Sequence, residues 1–292
     1  MALQPRILLR GAALCAVAFA IMLALAYGSP EARWLDASAF QGFMGLQRPK
    51  VTDLTTWVGS LGNPGQVAAI SLGLIAVALA RGRPRMAVLV ALLVGLTSVS
   101  SQLLKALLAY PRSDELINGA RVTAEAFPSG HATAAMSLAI ALVLVVSPRL
   151  RPLAALVGAA LALSVSFSVV SMGWHFPSDV IGGFLLATGW TLVLLAALRA
   201  LETRYPERAG RSALASRSRA VVDAVSGAGL VVALVAGVAA LGAVGLGIVV
   251  FRLSDLVAYA ADHTVFVVVA ALLVLSAVGL LRLVAEASAR RG

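Results

Sequence analysis

Phe127-Pro128-Ser129-Gly130-His131 lies between two long apolar runs in a chain that has only three histidines, His131, His175 and His263. An ionisable residue at the mouth of an apolar helix is a functional candidate by default. Pro128 favours an extended residue before it and a helix after it, so Ser129 and Gly130 are expected at the N-terminus of a helix running to about Val146. That places free backbone N–H groups, a hydroxyl and an imidazole around one point. A helix N-terminus approached through glycine suits an anion, and an adjacent imidazole can pass a proton to a departing oxygen. Phosphate is the anion such an arrangement fits.

The rest of the chain sets this stretch in a membrane. Of 292 residues, 60% are apolar and 12% charged, and the mean hydropathy is +0.96, which excludes a soluble globular domain. The net charge of +10 would suggest nucleic acid in a soluble protein. Here the arginines fall in short segments between apolar runs and report orientation instead, so no nucleic-acid partner is expected and membrane lipids are. Cys15 is the single cysteine, which rules out an intramolecular disulfide and a thiolate metal cluster.

Apolar runs of about 20 residues, enough to span, read at 12–28, 57–80, 86–109, 130–147, 153–173, 178–198, 221–250 and 264–284. The expected fold is therefore all-α, a polytopic membrane helix bundle. The first run reads as a span or as a signal peptide, since Arg6 and Arg10 precede it and Ala24-Leu25-Ala26 resembles a cleavage site. With the N-terminus and C-terminus cytoplasmic, the cytoplasmic segments hold Arg81, Arg83 and Arg85, then Arg149 and Arg151, then six arginines between 199 and 219, then Arg282, Arg290 and Arg291. The positive-inside bias then turns His131 to the extracytoplasmic side. The polar segment 199–220 is the longest connection, so boundaries are drawn at 1–200, 201–220 and 221–292. It reads as a basic loop lying against anionic lipid.

Two further clusters open on the same face. Lys105 and Arg112 end the third run; either alone could be snorkelling to the interface. Gly173-Trp174-His175-Phe176-Pro177-Ser178-Asp179 puts His175 and Asp179 four apart at the mouth of the sixth run. An aspartate that accepts a proton from one imidazole nitrogen fixes the tautomer and leaves the other nitrogen free to attack. Such a pair alone could be structural. Taken together, two histidines, an aspartate, two cations and a helix N-terminus make a nucleophile, an orienter, a proton donor and an oxyanion cradle suited to phosphoryl transfer. No metal or other cofactor is required, although zinc on His131, His175 and Asp179 is an alternative. Trp34, Trp57, Trp174 and Trp190 are expected to include interfacial anchors. His263 beside Asp262 reads as a loop pair, and Gly182-Gly183 as a close helix contact near the site.

These three clusters resemble the signature of the type 2 phosphatidic acid phosphatase superfamily: Lys, six residues, Arg-Pro; then Pro-Ser-Gly-His; then Ser-Arg, five residues, His, three residues, Asp. The resemblance covers about residues 55–199. It implies a six-helix phosphatase-like core, with two additional C-terminal transmembrane helices outside it, and metal-independent removal of phosphate from lipid phosphates or pyrophosphates through a phosphohistidine. By that resemblance His175 is the nucleophile, Asp179 its partner and His131 the acid, while Lys105, Arg112, Ser129 and the Gly130 N–H hold phosphoryl oxygens. The chain departs from the pattern in two places: Arg112 is preceded by Pro111 and followed by Ser113, and Val169, in Ser168-Val169, stands where the family carries arginine. A missing guanidinium contact removes roughly 1.5–3 kcal/mol. Three outcomes stay open: a slower phosphatase, a substrate that supplies different charge, or Arg121 reaching in from the outer loop. A lipid phosphoryl transferase and a lipid-phosphate binding or translocating protein are the alternative functions.

Overall fold

The computed structural model describes residues 4–47, 49–109, 122–205, 255 and 257–288. Nine α-helices run through them: α1 Pro5–Gly28, α2 Pro30–Met44, α3 Pro49–Ser60, α4 Pro64–Ala80, α5 Pro84–Leu107, α6 Gly130–Val145, α7 Arg151–Ser171, α8 Pro177–Arg204 and α9 Thr264–Ala287. No strand occurs among the described residues. Arg112, Arg121, the basic connection from 206 onward and the expected span at 221–250 lie outside them.

Proline sets most of the helix starts. Pro5, Pro30, Pro64, Pro84 and Pro177 open their helices, where a missing N–H costs nothing and φ is already helical. Two of the ends use glycine. Gly82 (φ 65°) and Gly173 (φ 78°) sit in the left-handed region, with the crossed hydrogen bonds of a Schellman cap. After α7 these run from Gly173 N–H to the Val170 carbonyl and from Trp174 N–H to the Val169 carbonyl, both at 3.0 Å.

Helix α6 is the axis of the bundle. Nearly every side chain from Ala132 to Val145 is buried, because α4, α5, α7 and α8 pack around it. Gly158 admits α7 against Ala139: a Cβ there would stand 2.9 Å from the Ala139 methyl. Helix α1 lies along α8, and α9 packs on α7, α8 and α2, joined by the Phe43–Phe266 ring pair at 4.8 Å.

Among the described residues, five helices are long and apolar enough to cross a membrane, and α3 with α4 adds a sixth span if the pair is counted as one. The expected run at 57–80 is therefore not one straight helix. It breaks over Leu61-Gly62-Asn63 with a bend of 54°. The expectation also passed over α2, whose mixed composition hides it from a hydropathy window.

Helix α6 has 16 residues and is about 24 Å long, several ångströms short of a hydrocarbon core of about 30 Å. The Arg83 guanidinium donates to the carbonyls of Leu144 and Val145, both at 3.1 Å, and levels the C-terminus of α6 with the start of α5. At its other end Ser129-Gly130-His131 opens α6 in a recess beside Lys105 of α5 and the start of α8.

Candidate active site

The recess gathers the ends of four elements. The Ser129 side chain is fully buried and caps α6 by accepting from Ala132 N–H at 3.3 Å. Its own N–H donates to the Asp179 carbonyl at 3.0 Å, which ties the second cluster of the sequence to the third. The first N–H groups of α6, on Gly130 and His131, belong to the set that a helix leaves uncommitted.

His175 and Asp179 meet at the start of α8, but the expected imidazole–carboxylate hydrogen bond is not formed, and His175 Nδ1 has no hydrogen-bond partner among the described residues. Asp179 Oδ2 accepts from Phe176 N–H at 2.9 Å and lies 3.5 Å from His175 Nδ1. It thus caps the N-terminus of α8 and holds the charge beside the ring. His131 and His175 face each other with ring centroids 6.5 Å apart, and the Trp174 indole lies 5.8 Å from the His131 ring.

Helix α5 supplies the cation. Lys105 Nζ, Gln102 Nε2 and Ser101 Oγ each lie 3.8 Å from the point where a Gly130 side chain would begin. Ser101 is 1% exposed, and its hydroxyl has no partner in the protein. Three polar groups thus converge on the one residue of the recess without a side chain.

Glycine on α8 makes the recess possible. A Cβ at Gly183 would stand 2.8 Å from Thr133 Oγ1 and 2.9 Å from both the Ser129 carbonyl and Thr133 N, and one at Gly182 would stand 2.7 Å from the Phe127 ring. These contacts fit the close approach expected of the glycine pair. Gly183→Ala should cost about 1–3 kcal/mol and cut turnover as well, because α8 carries Asp179 away from Ser129. Thermal unfolding and turnover of the variant check both effects.

Three neighbours were not singled out from sequence. Asp36 of α2 accepts from Ser178 N–H at 3.0 Å and from the Ser178 hydroxyl, so a carboxylate from a surface helix braces the start of α8. Gln47 donates to Ser171 Oγ at 2.8 Å and fastens the connection after α2 to the end of α7. Asn63, at the break between α3 and α4, has Oδ1 3.0 Å from His131 Nε2. The signal available was the quartet Gly62-Asn63-Pro64-Gly65, a turn sequence inside an apolar run.

The remaining candidates separate. Val169 is fully buried in the last turn of α7. Among the tryptophans, Trp34 and Trp57 are exposed as interfacial anchors would be, whereas the Trp190 indole donates to Ser100 at 3.0 Å and Trp174 lines the recess. His263 stacks on Tyr259 at 4.0 Å, away from the other two histidines in the fold's contacts. Among the described residues no three His, Cys, Asp or Glu side chains converge as a metal site needs.

An all-helical membrane protein with two facing imidazoles, a buried aspartate and a cationic recess at a helix N-terminus is built like a phosphoryl-transfer enzyme. The chain belongs to the PAP2 superfamily, whose family model matches residues 13–202. Its fold is similar to the crystal structure of a transmembrane PAP2-type phosphatidylglycerolphosphate phosphatase from Bacillus subtilis, with a TM-score of 0.54 and 20% identity over 68% of this chain and 98% of that one. No curated protein matched. Family and fold together support a membrane phosphatase in general.

Proposed function

We propose that the chain is a phosphatase of lipid phosphates or lipid pyrophosphates, working through a phosphohistidine on His175 at the extracytoplasmic face. The observation that carries this reading is the pairing of His131 and His175 across 6.5 Å above the N-terminus of α6. A tetrahedral phosphoryl group fits between them with each ring about 3 Å from a reacting atom.

In this reading Asp179 beside Nδ1 leaves Nε2 of His175 as the attacking nitrogen. The negative charge of the transition state falls on the Gly130 and His131 N–H groups, Lys105, and the Ser101 and Gln102 side chains that converge on Gly130. Arg112 and Arg121, the other phosphate-binding candidates of the sequence, lie outside the described residues. The α5 donors bear on Val169, because they offer phosphoryl oxygens hydrogen bonds that do not depend on a guanidinium at that position. Since Val169 is fully buried, an arginine there would have to hold its charge in the core unless a phosphoryl group met it. A site at the ends of apolar helices suits a phosphate on an acyl or prenyl chain.

The test is phosphate release by the detergent-purified protein from phosphatidylglycerophosphate, phosphatidic acid and a polyprenyl pyrophosphate, with EDTA present throughout. Release of orthophosphate from at least one of these lipids is expected. A product in which the phosphoryl group has moved to another lipid or sugar would replace the hydrolase reading, and no reaction with any of them would overturn it.

A further inference from the structure

Asparagine at the first residue before a helix normally turns its side chain inward to accept from the N–H groups of the first turn. Asn63 occupies that position ahead of α4 with extended backbone (φ −71°, ψ 151°), yet its side chain makes no such cap. Its Oδ1 is spent on His131 Nε2 at 3.0 Å. The neighbouring backbone is shaped for the same contact. Gly62 passes so close to the imidazole that a Cβ would stand 2.7 Å from His131 Cδ2 and 3.1 Å from its Cα. The 54° bend between α3 and α4 delivers this loop against the ring, where a continuous helix would have carried both residues past it.

We propose that Asn63 is the positioning residue of the proton-donating histidine: its amide oxygen accepts from Nε2–H of His131, fixes the ring plane, and leaves Nδ1 as the nitrogen that exchanges protons with the substrate. The inference deepens the phosphatase reading and rests on it for its kinetic part. Asn63 is exposed.

The proton sequence is determined by that hydrogen bond. His131 begins as the imidazolium, with one proton on each nitrogen. As His175 Nε2 bonds to phosphorus, the bond to the leaving oxygen breaks, and its electron pair takes the proton from Nδ1. His131 is then neutral, with the remaining proton on Nε2 and in the hydrogen bond to Asn63. Water next attacks the phosphohistidine; Nδ1 takes a proton from it, the P–N bond breaks, orthophosphate leaves, and the imidazolium is restored. A carboxamide oxygen at Nε2 favours the protonated ring, because a hydrogen bond to a charged donor is stronger than one to a neutral donor.

The groups facing His131 from the packed elements are the His175 imidazole from the turn between α7 and α8, the Lys105 ammonium from α5, the neutral Trp174 indole and Asn63 itself. Of these only Lys105 carries a fixed charge, and it is positive. A carboxylate at position 63 would set a negative charge against the ring, at nearly unchanged shape.

Two variants of the full-length protein therefore separate positioning from structure. Asn63→Asp should move the alkaline limb of the turnover profile up by about one pH unit, and Asn63→Ala should move it down while lowering kcat about tenfold to hundredfold with little change in KM. A merely structural role would not move the limb in opposite directions. Nitrogen-15 NMR of the histidine rings supplies a readout independent of turnover, since the chain has only three imidazoles and His131→Gln assigns the signal. The wild-type ring should carry its neutral-state proton on Nε2 and titrate higher in Asn63→Asp. A His131 signal indifferent to both variants overturns the proposal even in an active enzyme. If the signal responds but the wild type releases no phosphate from any lipid, the positioning role stands and the phosphatase reading falls.

Discussion

His175→Ala is expected to abolish phosphate release, with turnover falling by more than about 10⁴-fold, while the protein still folds. The loss is large because nothing else in the recess can take the place of a nucleophile. In the proposed mechanism His131 is committed to proton transfer, and Lys105, as an ammonium, has no free electron pair. Folding should survive, because Asp179 keeps its 2.9 Å hydrogen bond from Phe176 N–H and its carbonyl keeps the Ser129 N–H. The measurement is orthophosphate release by wild type and variant at equal concentration with EDTA, together with acid-quenched trapping of labelled phosphate on the protein. Near wild-type release by a folded His175→Ala protein would end the phosphohistidine mechanism.

The second large effect is expected at Asp179. Asp179→Asn preserves the volume, but the same Oδ2 both accepts from Phe176 N–H and faces His175 Nδ1, so an amide that keeps its oxygen there keeps the cap and one that turns its nitrogen there loses it, at about 1 kcal/mol. The substitution removes the charge 3.5 Å from His175 Nδ1 and can put an N–H there instead. The ring would then carry its proton on Nε2, the nitrogen that must attack. A wrong tautomer of this kind typically lowers kcat by about 10⁴-fold. Asp179→Ala should lose the same activity and also the cap, at about 1 kcal/mol or more of stability. Turnover of the Asn variant within a few-fold of wild type, with an unchanged melting temperature, would show that Asp179 is a helix cap alone.

The two effects depend on how the ends of α6, α7 and α8 are held. The Schellman turn at Gly173 delivers His175 back toward α6, and Asp36 braces Ser178 from a helix that lies outside the matched motifs. The buried Val169 contributes its backbone to this device: its carbonyl receives Trp174 N–H at 3.0 Å. The residue at 169 is thus a structural support of the nucleophile's turn whatever its side chain, which separates its backbone role from the question of the missing guanidinium.

Much of this molecule is legible in its sequence because the signals are local. Proline at a helix start acts on its own φ and on the residue before it. An apolar run of about 20 residues needs no partner to declare itself in a membrane, and the spacing of His175 and Asp179 places both at one helix mouth. Those facts determine an all-α membrane bundle and name His131, His175, Asp179, Lys105, Ser129 and Gly130 as one set. Tertiary structure alone decided the rest. The bend at Gly62-Asn63 falls within a stretch whose hydropathy reads as continuous, and Asn63 meets a residue 68 positions away. Asp36 reaches Ser178 across 142 positions, and the Ser129 N–H reaches the Asp179 carbonyl across two helices. Contacts between distant segments are selected by packing, by the absence of a Cβ at Gly62 and Gly183, and by the need of buried polar groups for partners. None of these has a periodicity that a single run of residues can display.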